Sequence, residues 1–431
     1  MCWKKPPAAT VTAARPAEPP ASAGHTGADC DLHHIAAFPP PAASWAQQAA
    51  DRVSAVFRMT NPIREYEWGS RTAFSDLFGW APSENPQAEI WMGSHPDAPS
   101  RLESGEVLTD VPFMVKVLAA EKPLSIQAHP SAEHARRGFA AEQSARTPDA
   151  AAERTYRDPH HKPELVFALT PFAALSGFDT PEAAAGRFAQ VQRLLGEADL
   201  AVAVESLSAE ILGGDYGAAV RTALEDPTGL LSVAAEELAM RDPAAVEPAL
   251  ADTLRRITPH FPGDPSIFVA LMLHRTDLAR GHALYVPPGT LHCYLHGAAV
   301  EVQACSDNVL RGGLTAKPIN TPGLLQILDT SPADPQLVAP EVLAPGVERY
   351  VTEAEEFELT CITFPSAGQQ YRTHVAGPAV ALCTAGVLRA GTVSLCAGES
   401  LYLPAGSAAT FSAEDAQLLL TQPKRTAQVS G

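Results

Sequence analysis

A repeat of twelve residues constrains this chain more than any other feature. Gly281-His-Ala-Leu-Tyr-Val-Pro-Pro-Gly289-Thr-Leu-His292 aligns without gaps on Gly398-Glu-Ser-Leu-Tyr-Leu-Pro-Ala-Gly406-Ser-Ala-Ala409. Each copy reads as a glycine turn, a short alternating strand and a Pro-x-Gly turn, the rhythm of a double-sheet jelly roll. Two copies predict two barrels. The first ends on His292 and the second on Ala409, so only the first keeps a side chain able to ligate. The expectation is one chemically equipped barrel and one degenerate, structural barrel.

The rest of the chain fits a mainly β architecture with one interruption. From Phe57 to about Phe178 short strands are broken by Gly and Pro, as in Val111 to Leu118, Leu124 to His129 and Glu164 to Leu169. Thr180-Pro181-Glu182 then reads as a helix N-cap with Pro at the first helical position, and Phe188, Val191, Leu194 and Leu195 recur at helical spacing. Ala-rich helical sequence continues to about Ile257. Strand character returns at Ile267 to His274 and persists to Thr421. The expected organisation is an equipped barrel from 57–178 and 259–335, an α-helical insertion domain at 179–258, and a degenerate barrel at 336–431. Residues 1–56 are rich in Ala and Pro with no periodic apolar face, and read as a disordered tail. Compact sequence begins near Phe57 with Met59 just inside it, which suggests an overextended translation start.

The densest chemistry lies in Pro123-Leu-Ser125-Ile-Gln127-Ala-His129-Pro130. On a strand, Ser125, Gln127 and His129 share one face and Leu124, Ile126 and Ala128 the other. A second block, His160-His161-Lys162-Pro163-Glu164, puts Lys162 and Glu164 on one face by the same rule. With His292 these blocks assemble an amide, two imidazoles and a carboxylate, a donor set suited to a divalent transition metal such as zinc with one position left open.

Together with flanking blocks, these residues resemble the type I phosphomannose isomerases of the cupin superfamily. The resemblance runs through Asn61-Pro-Ile-Arg-Glu-Tyr-Glu-Trp68-Gly69-Ser70, Ala88-Glu89-Ile-Trp91-Met92-Gly93-Ser94-His95-Pro96, the Gln127/His129 strand and His161-Lys-Pro-Glu164. It continues in Leu291-His292-Cys-Tyr-Leu295 and Glu301-Val-Gln-Ala-Cys305-Ser-Asp-Asn308-Val-Leu-Arg311-Gly-Gly-Leu-Thr315-Ala-Lys317. The chain departs from the family pattern at His274 and His282, neither of them a carried-over ligand. The resemblance implies cupin-type jelly-roll barrels, one catalytic and one degenerate, with a helical insertion. It implies one Zn(2+) per chain on Gln127, His129, Glu164 and His292, a catalytic Arg311, and interconversion of mannose 6-phosphate and fructose 6-phosphate.

That reaction moves a proton between adjacent carbons through an enediolate, so it needs an electrophile, a base and a phosphate clamp. Glu301 and Lys162 are the candidate proton shuttles, and the sequence leaves the choice open. Arg311 cannot lose its proton and suits enediolate or phosphate charge. Lys317, Ser125 and Lys116 are the phosphate-side candidates. Of seven lysines, Lys116, Lys122, Lys162 and Lys317 fall within these blocks, while Arg supplies the other 24 cations. The bland readings are a buried Glu301 paired with Arg311, a Lys162 that only orients Glu164, and a rim charge at Lys317.

The net charge of −18 argues against nucleic acid or an anionic membrane as the main partner, so an anionic ligand needs a local cationic pocket. Seven cysteines are too sparse for a disulfide scaffold and fit a cytoplasmic protein. A monomer acting on a small sugar phosphate is expected. The competing class is a non-catalytic sugar-phosphate-binding cupin regulator; retention of Arg311 and Glu301 beside the four ligands favours the enzyme.

Overall fold

A computed structural model describes residues 56–145, 154–366 and 368–425; the expected tail up to residue 55 lies outside them. The two repeat copies form matching units, the strands Ala283–Val286 and Ser400–Leu403. Gly281 and Gly398 open them at φ 87° and 86°, and Gly289 and Gly406 close them at φ 88° and 76°. That left-handed backbone favours glycine, which explains why these positions persist in both copies.

In the first barrel the strand Glu164–Ala168 lies antiparallel between Ala283–Val286 and the long strand His292–Ala304. The same sheet continues through Phe113–Ala120 to Glu89–Gly93. The facing wall holds Ile126–Ala128, Leu310–Gly313, Phe172–Phe178 and Leu273–Leu278. His292–Ala304 serves both walls: His292 pairs with Gln127 and Ser176, whereas Ala299 to Gln303 pair with Phe113–Ala120 and Glu164–Ala168. The register shift between Tyr294 and His296, followed by Gly297 at φ 114°, bends the strand between walls. A Cβ on Gly297 would stand 2.5 Å from the Pro171 carbonyl oxygen, so only glycine fits the bend.

The helices from Pro181 to Ile257 begin where the sequence indicates. The Thr180 side chain accepts a hydrogen bond from the Ala183 amide, and Pro181 occupies the first turn, a cap that contributes about 1 kcal/mol. Phe188, Val204, Leu207, Val220 and Leu254 form one continuous core with Ile126, Ala128 and Leu175 of the facing wall. This packing fixes the site. With Ile126 and Ala128 committed to the helices, strand alternation turns Gln127 to the opposite face, into the barrel.

Two expectations need correction. Ile267–Ala270 is a short helix, not the start of a strand, and the strand is Leu273–Leu278. Its four residues are all buried, and a short continuous apolar run has no periodicity to separate a buried helix from a buried strand. The barrel limits at 57 and 336 are also crossed. Phe57–Thr60 pairs with Ser400–Leu403 of the second barrel, and Gln336–Val338 pairs with Ala283–Val286 of the first. Each barrel thus covers an edge of the other, protecting backbone groups an open edge would expose. Among the described residues no helix is long and apolar enough to cross a membrane.

Candidate active site and metal centre

Strand register brings the distant motif blocks together. Gln127 is the cross-strand partner of His292 on one side and of Arg311 on the other. Glu164 pairs with Gln303 and Val286, and Glu301 with Lys116. Cross-strand partners point to the same face, so the barrel interior collects these side chains.

Three of them converge within reach of a single ion: His129, Glu164 and His292, all buried. His129 Nε2 lies 3.2 Å from Glu164 Oε1, and His292 Nε2 lies 3.4 Å from Glu164 Oε2. Gln127 Nε2 is 3.5 Å from His292 Nε2, so a turn of that amide presents its oxygen to the same point. Both imidazoles have their other nitrogen against a backbone carbonyl: His129 Nδ1 at 2.7 Å from Asn308 O, and His292 Nδ1 at 3.0 Å from Thr290 O. A carbonyl only accepts, so each Nδ1 carries a proton, and the Nε2 of a neutral ring then aims its lone pair at the carboxylate. Burial, and then the Lys162 charge, push the His129 pKa down to about 4, so a proton does not fill the gap at neutral pH. His129 Nε2 is a buried atom with no hydrogen-bond partner. Lone pairs facing an anion require a cation between them, and the donor set fits zinc.

Glu164 stays ionised. Burial works to raise its pKa, but the Lys162 ammonium holds it well below the carboxylate range. Lys162 Nζ sits 3.1 Å from Oε1, and the Tyr294 hydroxyl donates to Oε2 at 3.2 Å.

A second charged group lies deeper along the same sheet. Lys116 Nζ is 3.1 Å from Glu301 Oε2 and 3.7 Å from Glu89 Oε1, while Trp91 Nε1 donates to Glu89 at 2.8 Å. Burial opposes the Lys116 charge, but Glu89 and Glu301 raise its pKa above the ordinary lysine value. Burial, and then Glu164, raise the Glu301 carboxyl.

At the rim stand Arg311 and Lys317. Burial and the neighbouring Arg157 lower the Arg311 pKa, and burial followed by Arg311 and Arg157 lowers that of Lys317. Arg311 Nε is buried without a partner.

Two further features stand apart. His95, Asp97 and Asp307 also cluster, but both His95 ring nitrogens are engaged, with Asp307 Oδ1 at 2.9 Å and the Asp97 amide at 3.2 Å. A cavity of about 810 Å3 opens between the helices and the barrel beside Phe172, Arg256, Arg275 and His296, and contains none of the metal-site residues.

The model for the phosphomannose isomerase type I catalytic domain matches residues 56–111 and 103–180. Mannose-6-phosphate isomerase of Escherichia coli (strain K12) is 36% identical over 315 residues, covering 66% of this chain and 78% of that protein. The chain belongs to the type I phosphomannose isomerases. The Macaca fascicularis mannose-6-phosphate isomerase is 26% identical over 424 residues, covering 86% of this chain and 96% of that protein. The crystal structure of the Salmonella typhimurium mannose 6-phosphate isomerase bound to fructose 6-phosphate and zinc superposes with a TM-score of 0.75 at 31% identity, covering 86% of this chain and all of that one.

In this chain the structure brings Gln127, His129, Glu164, His292 and Lys162 to one point. Ser125 sits half-buried immediately before the strand Ile126–Ala128 that carries Gln127. Lys116 departs from expectation: a buried ammonium between two carboxylates is already neutralised and is no phosphate-side group. Glu301 pairs with that lysine and not with Arg311. Sequence reasoning missed Glu89, Tyr294, Arg157 and Asn308. The alternation that selected Lys162 and Glu164 could have put Glu89 on the face of Trp91, the cross-strand partner of Lys116, but nothing in the sequence reports that Asn308 contributes a backbone carbonyl.

Proposed function

We propose that this chain interconverts mannose 6-phosphate and fructose 6-phosphate with one zinc ion, held by Gln127, His129, Glu164 and His292. The observation that carries the reading is the convergence of two imidazole lone pairs on the Glu164 carboxylate in a chain of this family. Zinc, when bound, supplies Lewis-acid polarisation of the sugar oxygens.

The chain's own residues then divide the remaining work. Glu301 is the proton acceptor at the carbon next to the carbonyl. Its raised pKa brings the carboxylate closer to the pH at which it must both take and return a proton. Lys162 orients Glu164, to which it is committed at 3.1 Å. Lys116 holds Glu301 in place and compensates its buried charge. Arg311 faces the developing enediolate charge as a fixed cation, and Lys317 with Ser125 receives the phosphate.

A coupled assay of mannose 6-phosphate conversion, before and after chelation and zinc restoration, tests the reading. Conversion that requires metal and falls at least about 100-fold in Arg311→Ala supports it. Folded, zinc-loaded protein that does not convert the sugar overturns it.

A further inference from the structure

Arg157, which no sequence motif singled out, lies close enough to Arg311 and Lys317 for its charge to bear on both, and a dense set of hydrogen bonds holds its backbone in place. Asn308 is fully buried, and its side-chain oxygen accepts the Arg157 amide at 2.7 Å and the Asp158 amide at 3.4 Å. Its amide nitrogen donates to the carbonyls of Asp158 and His160, each at 2.8 Å. The three residues between Cys305 and Val309 therefore clasp the loop 157–160.

The same clasp uses up the nearest carboxylate. Asp158 Oδ1 accepts from Ser306 Oγ at 2.9 Å and from Asn308 Nδ2 at 3.2 Å, and Asp158 Oδ2 accepts the Asp307 amide at 2.8 Å. Asp307 is engaged by His95. Among the described residues no carboxylate forms an ion pair with Arg157, Arg311 or Lys317. Asp307 feels the Arg157 charge but is bonded first to His95, so in a chain of net charge −18 three cations gathered without an ion-paired carboxylate repel one another unless an anion joins them.

We propose that Arg157 is a third substrate-binding cation at this rim, receiving the phosphate of the sugar together with Lys317 while Arg311 faces the enediolate, and that Asn308 is the positioning residue that holds it there. This rests on the sugar-phosphate reading of the site and adds to it a residue and the device that places it. The backbone carbonyl of Asn308 also receives the His129 Nδ1 proton, so the cationic rim and the metal centre share one rigid mount. Asn308→Ala keeps that carbonyl and removes only the clasp.

Two measurements test the proposal. Titration calorimetry of inorganic phosphate into zinc-loaded protein needs no turnover, and Arg157→Ala is expected to weaken binding about tenfold or more. Steady-state kinetics with mannose 6-phosphate should show KM raised by a similar factor, with kcat changed less than about threefold and the zinc content unaltered. Asn308→Ala should raise KM in the wild-type background and add little to it when Arg157 is already Ala. Equal phosphate affinity in wild type and Arg157→Ala overturns the role of Arg157, whether or not the protein turns over. An additive Asn308→Ala effect overturns the clasp. A wild-type protein that binds phosphate through Arg157 but does not isomerise the sugar overturns the function and leaves the anion site standing.

Discussion

Lys162 holds its Nζ 3.1 Å from Oε1 of Glu164, the same oxygen that the unprotonated Nε2 of His129 faces at 3.2 Å. One carboxylate thus serves a lysine and two imidazoles at once, and its negative charge organises the centre. Glu164→Gln keeps the shape and removes the charge. Zinc affinity should fall by more than about 100-fold, beyond the loss usual for an outer hydrogen-bond partner. Metal analysis after dialysis against a competing chelator reads this directly, with far-UV circular dichroism as the control for folding. A variant that retains one zinc per chain would place the metal elsewhere.

The buried Lys116–Glu301 pair makes a prediction in which pH supplies the sign. Lys116→Met leaves Glu301 and Glu89 buried without their cation, a loss of about 3–5 kcal/mol when one partner of a buried pair is removed. An acid whose folded pKa is raised destabilises the fold when ionised. That penalty is absent below the unfolded value near 4.3 and grows as pH rises through the folded value. Removing the lysine raises the Glu301 pKa further, so the deficit of Lys116→Met should shrink as pH falls from neutral into the acid range. Urea unfolding of both proteins across that range checks it, and a pH-independent deficit would assign the loss to packing. The acid limb of kcat/KM should move up in pH with the same substitution, because Glu301 must be ionised to accept a proton.

Much of this site was legible because strand alternation is a strict rule. Gln127 with His129, and Lys162 with Glu164, lie two apart, and the extended backbone just past the ends of the strands Ile126–Ala128 and Glu164–Ala168 keeps each pair together at the site. The repeat located the turns because Gly281 and Gly398 need a backbone that other residues resist. Partners set by register across the barrel were less legible. Lys116 reads as a phosphate lysine until Glu301 and Glu89 are seen on either side of it, and the exchange of Phe57–Thr60 and Gln336–Val338 leaves no local trace. The strand expected at Ile267 failed for a third reason, since a fully buried run carries no amphipathic period.

The two repeat glycines have equal conformations and unequal surroundings. A Cβ on Gly281 meets nothing within 4 Å, so Gly281→Ala carries only the left-handed backbone penalty of roughly 1–2 kcal/mol. A Cβ on Gly398 would stand 2.5 Å from Trp80 Cζ2 and 2.9 Å from Phe78 Cδ2, side chains of the aromatic cluster that packs there. Gly398→Ala adds overpacking of roughly 1–3 kcal/mol to the same penalty. Chemical denaturation should therefore rank Gly398→Ala below Gly281→Ala. Equal losses would show that the aromatic cluster yields without strain.

The strand exchange predicts which barrel suffers when the chain is shortened at its start. Phe57 and Arg58 pair with Tyr402 and Leu401, and Arg58 Nη1 reaches Glu399 Oε1 at 2.7 Å. Asn61 Nδ2 donates to Ser400 Oγ at 2.8 Å, and Ser100 Oγ donates to Asn61 Oδ1 at 2.8 Å, tying the strand back to the first barrel. A chain beginning at residue 56 keeps every one of these contacts. A chain beginning at Met59 loses two ladder pairs, one ion pair and the Phe57–Tyr402 ring contact, together about 1–3 kcal/mol. The loss falls on the strand Ser400–Leu403, which becomes an exposed edge, while the proposed metal ligands lie in the other barrel. Limited proteolysis of the Met59 form should therefore cut first between residues 369 and 422, with zinc binding retained. First cleavage within residues 113–178 would show instead that the exchanged strand supports the catalytic barrel.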